Sequence, residues 1–533
     1  MAAPHLPGIP EMVTWGWLTS SGRTRIRGRR EEPEVGVNQL SRRGLLAAGG
    51  AIAAANLLPG VAFAEQAGGD KTRTVTGHFP PSVDDWFYLP VEVPHGVNEI
   101  EVIYSYDKPA VPAGTRGNAC DIGIFGPEGH ELGNARGFRG WSGGFRDRFT
   151  ISASGATPGY LAGPIRRGTW HVILGPYTVA PQGMAYRVDI TLRFGPPGAP
   201  FKPRPAPESA PARDRGRSWY RGDCHLHTVH SDGRRTPEEL VAAARAAGLD
   251  FITSTEHNTS SASLQWGHHA TDDLLILNGE EVTTRSGHWP AIGLPAGMWI
   301  DWRYRAGDSR DYRRFVHHVH KAGGLVTAAH PFATCFGCSY EFAYELADLV
   351  EVWNQNWTEE EEAALNHWDG LLRSGRWIPA IGNSDAHNPQ NTVGSPQTVV
   401  LADRLRRDSL MAGLRAGRSW LAESSKVDLS FTATDGKRAA GIGEHLRVDT
   451  GTPVTFQLSV SGVPGTRVRL LDQVGQQHTE VVPDTGTVTA RWTTYRRYTR
   501  WVRAEVRRSG TMAAMTNPIF LDAPERQEHA GST

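Results

Sequence analysis

Thr236-Pro237-Glu238-Glu239-Leu240-Val241-Ala242-Ala243-Ala244-Arg245-Ala246-Ala247-Gly248-Leu249-Asp250-Phe251-Ile252-Thr253-Ser254 is the stretch on which the fold turns. Thr236 and Glu239 form a capping box, and Pro237 sits at the first helical position, where a missing N–H costs nothing. Gly248 stops the helix, and Phe251-Ile252-Thr253-Ser254 reads as the strand that follows. Outward from this unit, strand-like runs alternate with helices from residue 218 to 424. Further strands end at Glu281, near Gly293, at His330, at Asn354 and at Asp385. Helices are expected over 309–322 and 358–374, closed by Gly323-Gly324 and Gly375. Such alternation implies an α/β fold of parallel strands, either a barrel or an open sheet.

The flanks read differently. From 71 to 195 the pattern alternates, as in Glu99-Ile100-Glu101-Val102-Ile103-Tyr104, with Gly/Pro-rich turns and no helical stretch, which suggests a β-sandwich. Residues 196–217 are a Pro-rich, extended linker. Residues 425–522 alternate again, as in Val427-Asp428-Leu429-Ser430-Phe431, and imply a second small β-sandwich. Residues 1–64 form an N-terminal lead and signal peptide of the twin-arginine type. It has Arg42-Arg43, an Ala/Gly/Leu core and the small-x-small site Ala62-Phe63-Ala64. That segment predicts passage through the twin-arginine export machinery, with the mature protein secreted, wall-associated or periplasmic and without a stable membrane anchor.

Composition narrows the function. Fifty-six Lys plus Arg balance 56 Asp plus Glu, so the charge gives no support to nucleic-acid binding. Four cysteines among 533 residues exclude a disulfide scaffold; Cys335-x-x-Cys338 lacks a partner pair for zinc and suits a disulfide in an oxidising compartment. Histidine is the informative residue, with 13 of the 21 between positions 220 and 395. His225 and His227 are spaced i, i+2, which on a strand puts both imidazoles on one face, and Asp385 and His387 repeat that spacing. With Asp232, His257, Glu281, His288 and His330 they make a mixed imidazole and carboxylate set at the predicted strand ends. Such a set suits zinc, manganese or iron. His317, His318 and His320 share a helix with Arg313 and Arg314 and read as a solvated face.

Cys224-His225-Leu226-His227-Thr228, Ser231-Asp232-Gly233, Thr255-Glu256-His257-Asn258, Gly279-Glu280-Glu281-Val282, Ala329-His330-Pro331 and Asn383-Ser384-Asp385-Ala386-His387 resemble the motifs of the PHP (polymerase and histidinol phosphatase) superfamily. The likeness covers 218–424, and the overall layout resembles the exported carbaryl-hydrolase-like branch. The resemblance implies a distorted (β/α)7 PHP barrel flanked by the two sandwiches, with two or three divalent metal ions at the strand ends. One ion would take His225, His227, Glu281 and Asp385. A second would share Glu281 and add His288 and His330, and a third would take Asp232, His257 and His387. Two features depart from the pattern or leave a choice. The family's Thr-Asp-His is here Thr255-Glu256-His257, and Glu281 is preferred over Glu280 because it precedes the apolar Val282.

These residues predict an exported hydrolase acting on a small-molecule ester, first a phosphoesterase with a metal-bridging hydroxide as nucleophile. Glu281 would bridge, and His257 or His387 would protonate the leaving oxygen where the third ion is absent; where it is present, a metal-bound water would. Asn258, Arg285 and Asn354 would touch substrate. A carbamate or carboxylic ester hydrolase at the same site is the alternative. A non-catalytic surface protein that binds glycan is the alternative of another class.

Overall fold

Period-two burial builds the N-terminal layer. The strand Met184–Phe194 buries Met184, Tyr186, Val188, Ile190 and Leu192 and leaves the residues between them outside. It pairs antiparallel with Lys71–Phe79 and Val97–Tyr106. A second antiparallel sheet, ordered Phe87–Val93, Gly168–Thr178, Ala119–Phe125, Phe138–Gly143, faces it across a core that includes Val75, Ile100, Ile122, Trp170 and Val188. The computed structural model describes residues 62–65 and 69–523. The lead and twin-arginine segment expected over 1–64 lies outside the described residues except for 62–64.

The proline-rich stretch after this layer has little regular structure, but it is fastened to the domain that follows. Arg204 N–H donates to the Leu264 carbonyl at 2.7 Å, Gly267 N–H donates to the Arg204 carbonyl at 2.7 Å, and Ala212 N–H donates to the Asp272 carbonyl at 2.9 Å.

In the central domain Ser218–Asp223, Phe251–Ser254 and Leu275–Thr284 lie parallel and adjacent. Leu325–Ala328, Leu349–Asn354 and Ala380–Asn383 form a second parallel set. Between the sets runs Gly287–Leu294, antiparallel to both neighbours. The chain is thus mixed α/β and rich in strands, with four α-helices among the described residues: Pro237–Ala246, Ser309–Lys321, Glu359–Arg373 and Arg407–Arg415. The sevenfold βα alternation expected of the domain is broken at Thr284–Gly287. A parallel crossover needs a dozen or more residues, and this turn is too short for anything but a hairpin. Gly287 makes it possible: its φ is 104°, and a Cβ there would meet the Ser339 carbonyl oxygen at 2.3 Å. The two ends of the parallel array still meet. Leu226 and Ala386 form a parallel bridge, and the Asn383 side-chain oxygen accepts from Cys224 N–H at 2.8 Å.

Helix ends follow their caps. The Thr236–Glu239 box is formed at Pro237–Ala246, and Thr358 with Glu361 makes another at Glu359–Arg373, where four consecutive glutamates complement the positive helix end. Helix Ser309–Lys321 keeps His317, His318 and His320 off the core, and His320 meets Asp348 at 2.7 Å.

The C-terminal layer continues the central sheet. Ser419–Ala422 pairs with Gln397–Ala402 on one side and with Thr511–Thr516 on the other, and Trp501–Arg508, Arg467–Asp472 and Gly475–Val481 extend it. A four-stranded sheet that includes Asp428–Thr434, Pro453–Ser461 and Val488–Tyr495 packs against this extension around Phe456, Leu458 and Val506.

The N-terminal layer is locked onto the central domain by aromatic packing and one buried ion pair. Phe138 stacks on Trp299 with centroids 4.1 Å apart, and Trp141 meets Trp302 at 4.5 Å. Arg303 pairs with Asp301 at 2.6 Å and donates to the Tyr88 hydroxyl at 2.5 Å and the His130 carbonyl at 2.8 Å. Asp301 in turn accepts from Gly133 N–H at 2.8 Å. Both charges are enclosed, so removing one leaves the other unpaired, a loss of about 3–5 kcal/mol. Arg303→Leu is therefore expected to lower the urea midpoint sharply and to detach the N-terminal layer first, which limited proteolysis of the variant would reveal.

Candidate metal centre

Strand ends and short turns bring the imidazoles and carboxylates together. His225 and His227 follow Ser218–Asp223, Asp385 and His387 follow Ala380–Asn383, and Glu281 and His288 sit on the two arms of the hairpin. The backbone is bent to do this: His330 and Asp385 have φ of 23° and 45°, and Asn258 and Gln355 both have 55°. Left-handed residues other than glycine persist only where their surroundings fix them. The Ser231-Asp232-Gly233 turn lies so close to His227 that a Cβ on Gly233 would meet the His227 carbonyl carbon at 2.5 Å.

Glu281 is the hub. Its Oε2 lies 3.2 Å from His225 Nε2, 3.3 Å from His227 Nε2 and 2.9 Å from His257 Nδ1. Its Oε1 lies 3.0 Å from His288 Nδ1 and 3.2 Å from His330 Nε2. Asp385 Oδ1 is 3.0 Å from His227 Nε2 and 3.4 Å from His225 Nε2. Asp232 Oδ1 sits 3.5 Å from His257 Nε2 and 3.4 Å from His387 Nε2. All nine residues expected as ligands thus converge. They fall into overlapping groups able to hold a metal ion: His225, His227 and Asp385; His225, Glu281 and His330; His257, Glu281 and His288; and His227, Asp232, His257 and His387. The division differs from the expected one. His257 groups with Glu281 and His288 as well as with Asp232, His227 joins the Asp232 group as well as Asp385, and His330 groups with His225 and Glu281 and not with His288.

The donor set fits a cation cluster on its own chemistry. His225 Nε2, His227 Nε2, Asp232 Oδ1, Glu281 Oε2 and Asp385 Oδ1 are buried and have no hydrogen-bond partner, yet they face one another. Buried polar atoms are almost always paired, and five in one place need a shared electropositive partner. Burial alone would raise the carboxylates. Instead the surrounding histidines, His225 first for each, hold Glu281 and Asp385 well below the usual range. His225 and His257 answer in the opposite sense: burial opposes their charge, but the carboxylates raise both, His257 to about 9. His227 goes the other way, down to about 3, through burial and the neighbouring His387 and His257. One anion-rich and imidazole-rich cluster cannot satisfy itself with protons; divalent ions would.

Behind the ligands stand carboxylates that are not ligands themselves. Glu351 takes His225 Nδ1–H at 3.1 Å, His330 N–H at 2.9 Å, Asn354 Nδ2 at 3.0 Å and Asn383 Nδ2 at 2.9 Å. That places the His225 proton on Nδ1 and turns Nε2 toward the centre. Its sequence signal is a lone acid in the apolar run Leu349-Val350-Glu351-Val352. Glu256, the lengthened residue of the third motif, accepts from Thr228 N–H and Oγ1 and from Ser231 Oγ, so it braces the turn that carries Asp232. Glu280 points away from the centre, accepts from Ile300 N–H at 3.0 Å, and is pushed well above the ordinary carboxylate range by burial.

Of the three expected substrate contacts, Arg285 and Asn258 line the open cavity. Asn258 uses both ends of its amide on Thr283, accepting from its N–H at 2.8 Å and donating to its carbonyl at 3.1 Å; the amide holds a loop. Asn354 donates to Glu351 and to Asp385 at 3.3 Å, behind the ligands. Both amides thus hold their neighbours in place, and Asn258 also borders the cavity. Arg285 does line the cavity, a space of about 370 Å³ that opens over Asp232, His257 and His288. Its far side is formed by Trp86, Asp121, Trp141 and Tyr177 of the N-terminal layer, residues far away in sequence with no local motif to betray them. Cys338, joined to Cys335 by a disulfide, stands at the same rim.

Fold and site together define an α/β protein with a candidate multinuclear metal centre at its strand ends. No protein-family model matches the chain, and no curated protein does. Among solved structures, the chain is similar to a two-domain protein from Bacteroides vulgatus containing a predicted PHP-like metal-dependent phosphoesterase. The identity is 17%, over 60% of this chain and 100% of that one, with a TM-score of 0.33. It is also similar to an amidohydrolase from Chromobacterium violaceum with bound sulfate and no metal, at 18% identity over 32% of this chain and 89% of that one, with a TM-score of 0.25.

Two measurements probe this geometry. Glu351→Gln removes the acceptor that orients His225, and metal affinity, read by chelator competition, is expected to fall about 10–100-fold while the fold survives. Asp121 is pushed up to about 6 by burial, against the field of Arg285. Its folded pKa thus lies above its unfolded value. The fold bears a penalised carboxylate above pH 6 and sheds that penalty as the group takes a proton on acidification. Asp121→Asn is expected to raise the urea midpoint at about pH 8 and to raise it less at about pH 5.

Proposed function

We propose that this protein is a metal-dependent hydrolase of the PHP type, exported through the twin-arginine pathway, and that it cleaves phosphate esters. The observation that carries this reading is the convergence of five buried, unpartnered ligand atoms, Glu281 Oε2 among them. On this reading the central domain is a PHP barrel in which one βα step has become the Leu275–Leu294 hairpin.

His225, His227, Asp385, Glu281, His330, His288, His257, Asp232 and His387 would hold two or three divalent ions, which when bound supply Lewis acidity and a water of lowered pKa. The chain's own residues do the rest. Glu281, 1% exposed, stays ionised and spans both sides of the cluster. His257 and His387 stand beside Asp232, His257 lines the cavity, and the His387 Nδ1–H is tied to the Asp385 carbonyl at 2.8 Å. Their Nε2 atoms face Asp232; with two ions held elsewhere in the cluster, one of them would be free to pass a proton to the departing oxygen, and with a third ion held here both would be its ligands. Arg285 adds the positive charge that a phosphoryl group needs on the side away from the ligands. A carbamate or carboxylic ester is the second reading, favoured by the aromatic lining of the cavity, which suits a neutral ester.

Elemental analysis of purified mature protein is expected to find at least two equivalents of zinc, manganese or iron. Chelation should abolish turnover, and Glu281→Gln should do the same with an unaltered far-UV spectrum. Phosphomonoesters, phosphodiesters and aryl carbamates assayed side by side identify the reaction; cleavage of carbamates alone would move the assignment to the second reading. Less than one tightly held ion would falsify the multinuclear centre.

A further inference from the structure

The cavity over the cluster has two walls from different parts of the chain. One carries Asp232, His257 and His288; the other comes from the N-terminal sandwich, well upstream of every ligand. That upstream wall is aromatic and only partly covered. Trp86 and Tyr177 are half-buried, and Phe145 is 43% exposed on a loop at the rim. The Arg146 guanidinium lies 5.5 Å from the Phe145 ring, which still leaves ring surface open beside the cavity.

Arg285 links the two walls. Its guanidinium lies 4.2 Å from the Tyr177 ring and 5.2 Å from the Trp86 ring, and its Nε and Nη2 find no hydrogen-bond acceptor among the described residues. Those two nitrogens are the edge of the fork that takes oxyanions in pairs. Tyr177 is fixed in turn, donating from its hydroxyl to the Phe336 carbonyl at 2.7 Å. Trp86 packs edge-on against Trp141 and Trp302, both at 5.8 Å. Rigid rings held in this way lose little freedom when a ligand ring is laid on them.

We propose that the N-terminal sandwich is a wall of the catalytic pocket and selects esters whose departing group is a flat ring, seated against Trp86, Tyr177 and Phe145 with the acid portion toward Arg285 and the cluster. The choice of a phosphate ester as the acid portion rests on the function proposed above; the preference for a ring does not. Aromatic stacking with partial burial of one ring supports about a tenfold preference over a small alkyl group.

The test uses the metal-loaded full chain and two inert probes, phenylphosphonate and methylphosphonate, titrated by calorimetry. Phenylphosphonate is expected to bind about tenfold tighter, and Phe145→Ala and Trp86→Leu are each expected to cut that ratio below about threefold. Phe145 is exposed enough for alanine to fold normally, so the ratio stays measurable even where Trp86→Leu unfolds the protein. Equal affinity for the two probes, or a ratio that survives Phe145→Ala, overturns the wall. Failure of both phosphonates to bind counts against the phosphate reading alone. The wall is then judged by the ratio of benzyl acetate to ethyl acetate hydrolysis: a fall on Phe145→Ala supports it, and an unmoved ratio or no turnover of either ester overturns it.

Discussion

A carboxylate that is 1% exposed and ringed by five imidazoles is the constraint around which this chain is built. Enclosing Glu281 away from water is costly unless positive charge surrounds it. Neutral imidazoles supply that charge only in part. Protonating all of them would crowd like charges together, as the His227–His257 and His227–His387 ring separations of 4.4 and 4.1 Å make plain. Divalent ions resolve both conflicts at once. The strained backbone at His330 and Asp385 follows from the same demand, since only a fixed centre repays holding ligands in a sparsely populated conformation.

The surrounding carboxylates are arranged by strand geometry. Glu280 and Glu281 are consecutive on one strand, so period-two alternation sends them to opposite faces: one into the cluster, where histidines hold its carboxyl well below the usual range, and one toward Ile300, where burial pushes its carboxyl well above it. Glu351 and Glu256 occupy a layer behind the ligands, with their oxygens satisfied by named donors. The extra methylene of Glu256 is put to use there, reaching across to both Thr228 and Ser231. Longer reach lets one side chain brace the strand end that carries His227 and the turn that carries Asp232.

Local chemistry was legible where it is local. Caps such as Thr236–Glu239, glycine stops and the i, i+2 spacing of His225 and His227 act within a few residues, so helices and ligand strands could be placed from sequence. Choosing Glu281 over Glu280 needed only the register of one strand. The hairpin at Thr284–Gly287 escaped because periodicity gives a strand's faces but not its direction, and a short turn containing glycine decides that direction. Glu351 escaped because its partners come from three other segments. Whether a polar residue next to a ligand, such as Asn258 or Asn354, turns to the loop or to the cavity is set by the local backbone, which one sequence does not reveal. The seam joining the central sheet to Thr511–Thr516 is likewise a non-local pairing.

The N-terminal layer then acquires a physical role beyond packing. An α/β domain with its ligands at the strand ends is open on that side. The docked sandwich closes part of the opening with aromatic surface, while Phe138 on Trp299 and the Arg303–Asp301 pair fix its position. Docking and the centre are therefore linked. Trp302 neighbours Arg303 in the chain, packs against Trp86 and lines the cavity, so whatever loosens Arg303 also shifts the wall that faces His257 and His288. A ligand that touches both walls binds only the docked state and must stabilise it by its own binding energy. Enclosure of the centre and attachment of the upstream layer are, in energetic terms, one equilibrium.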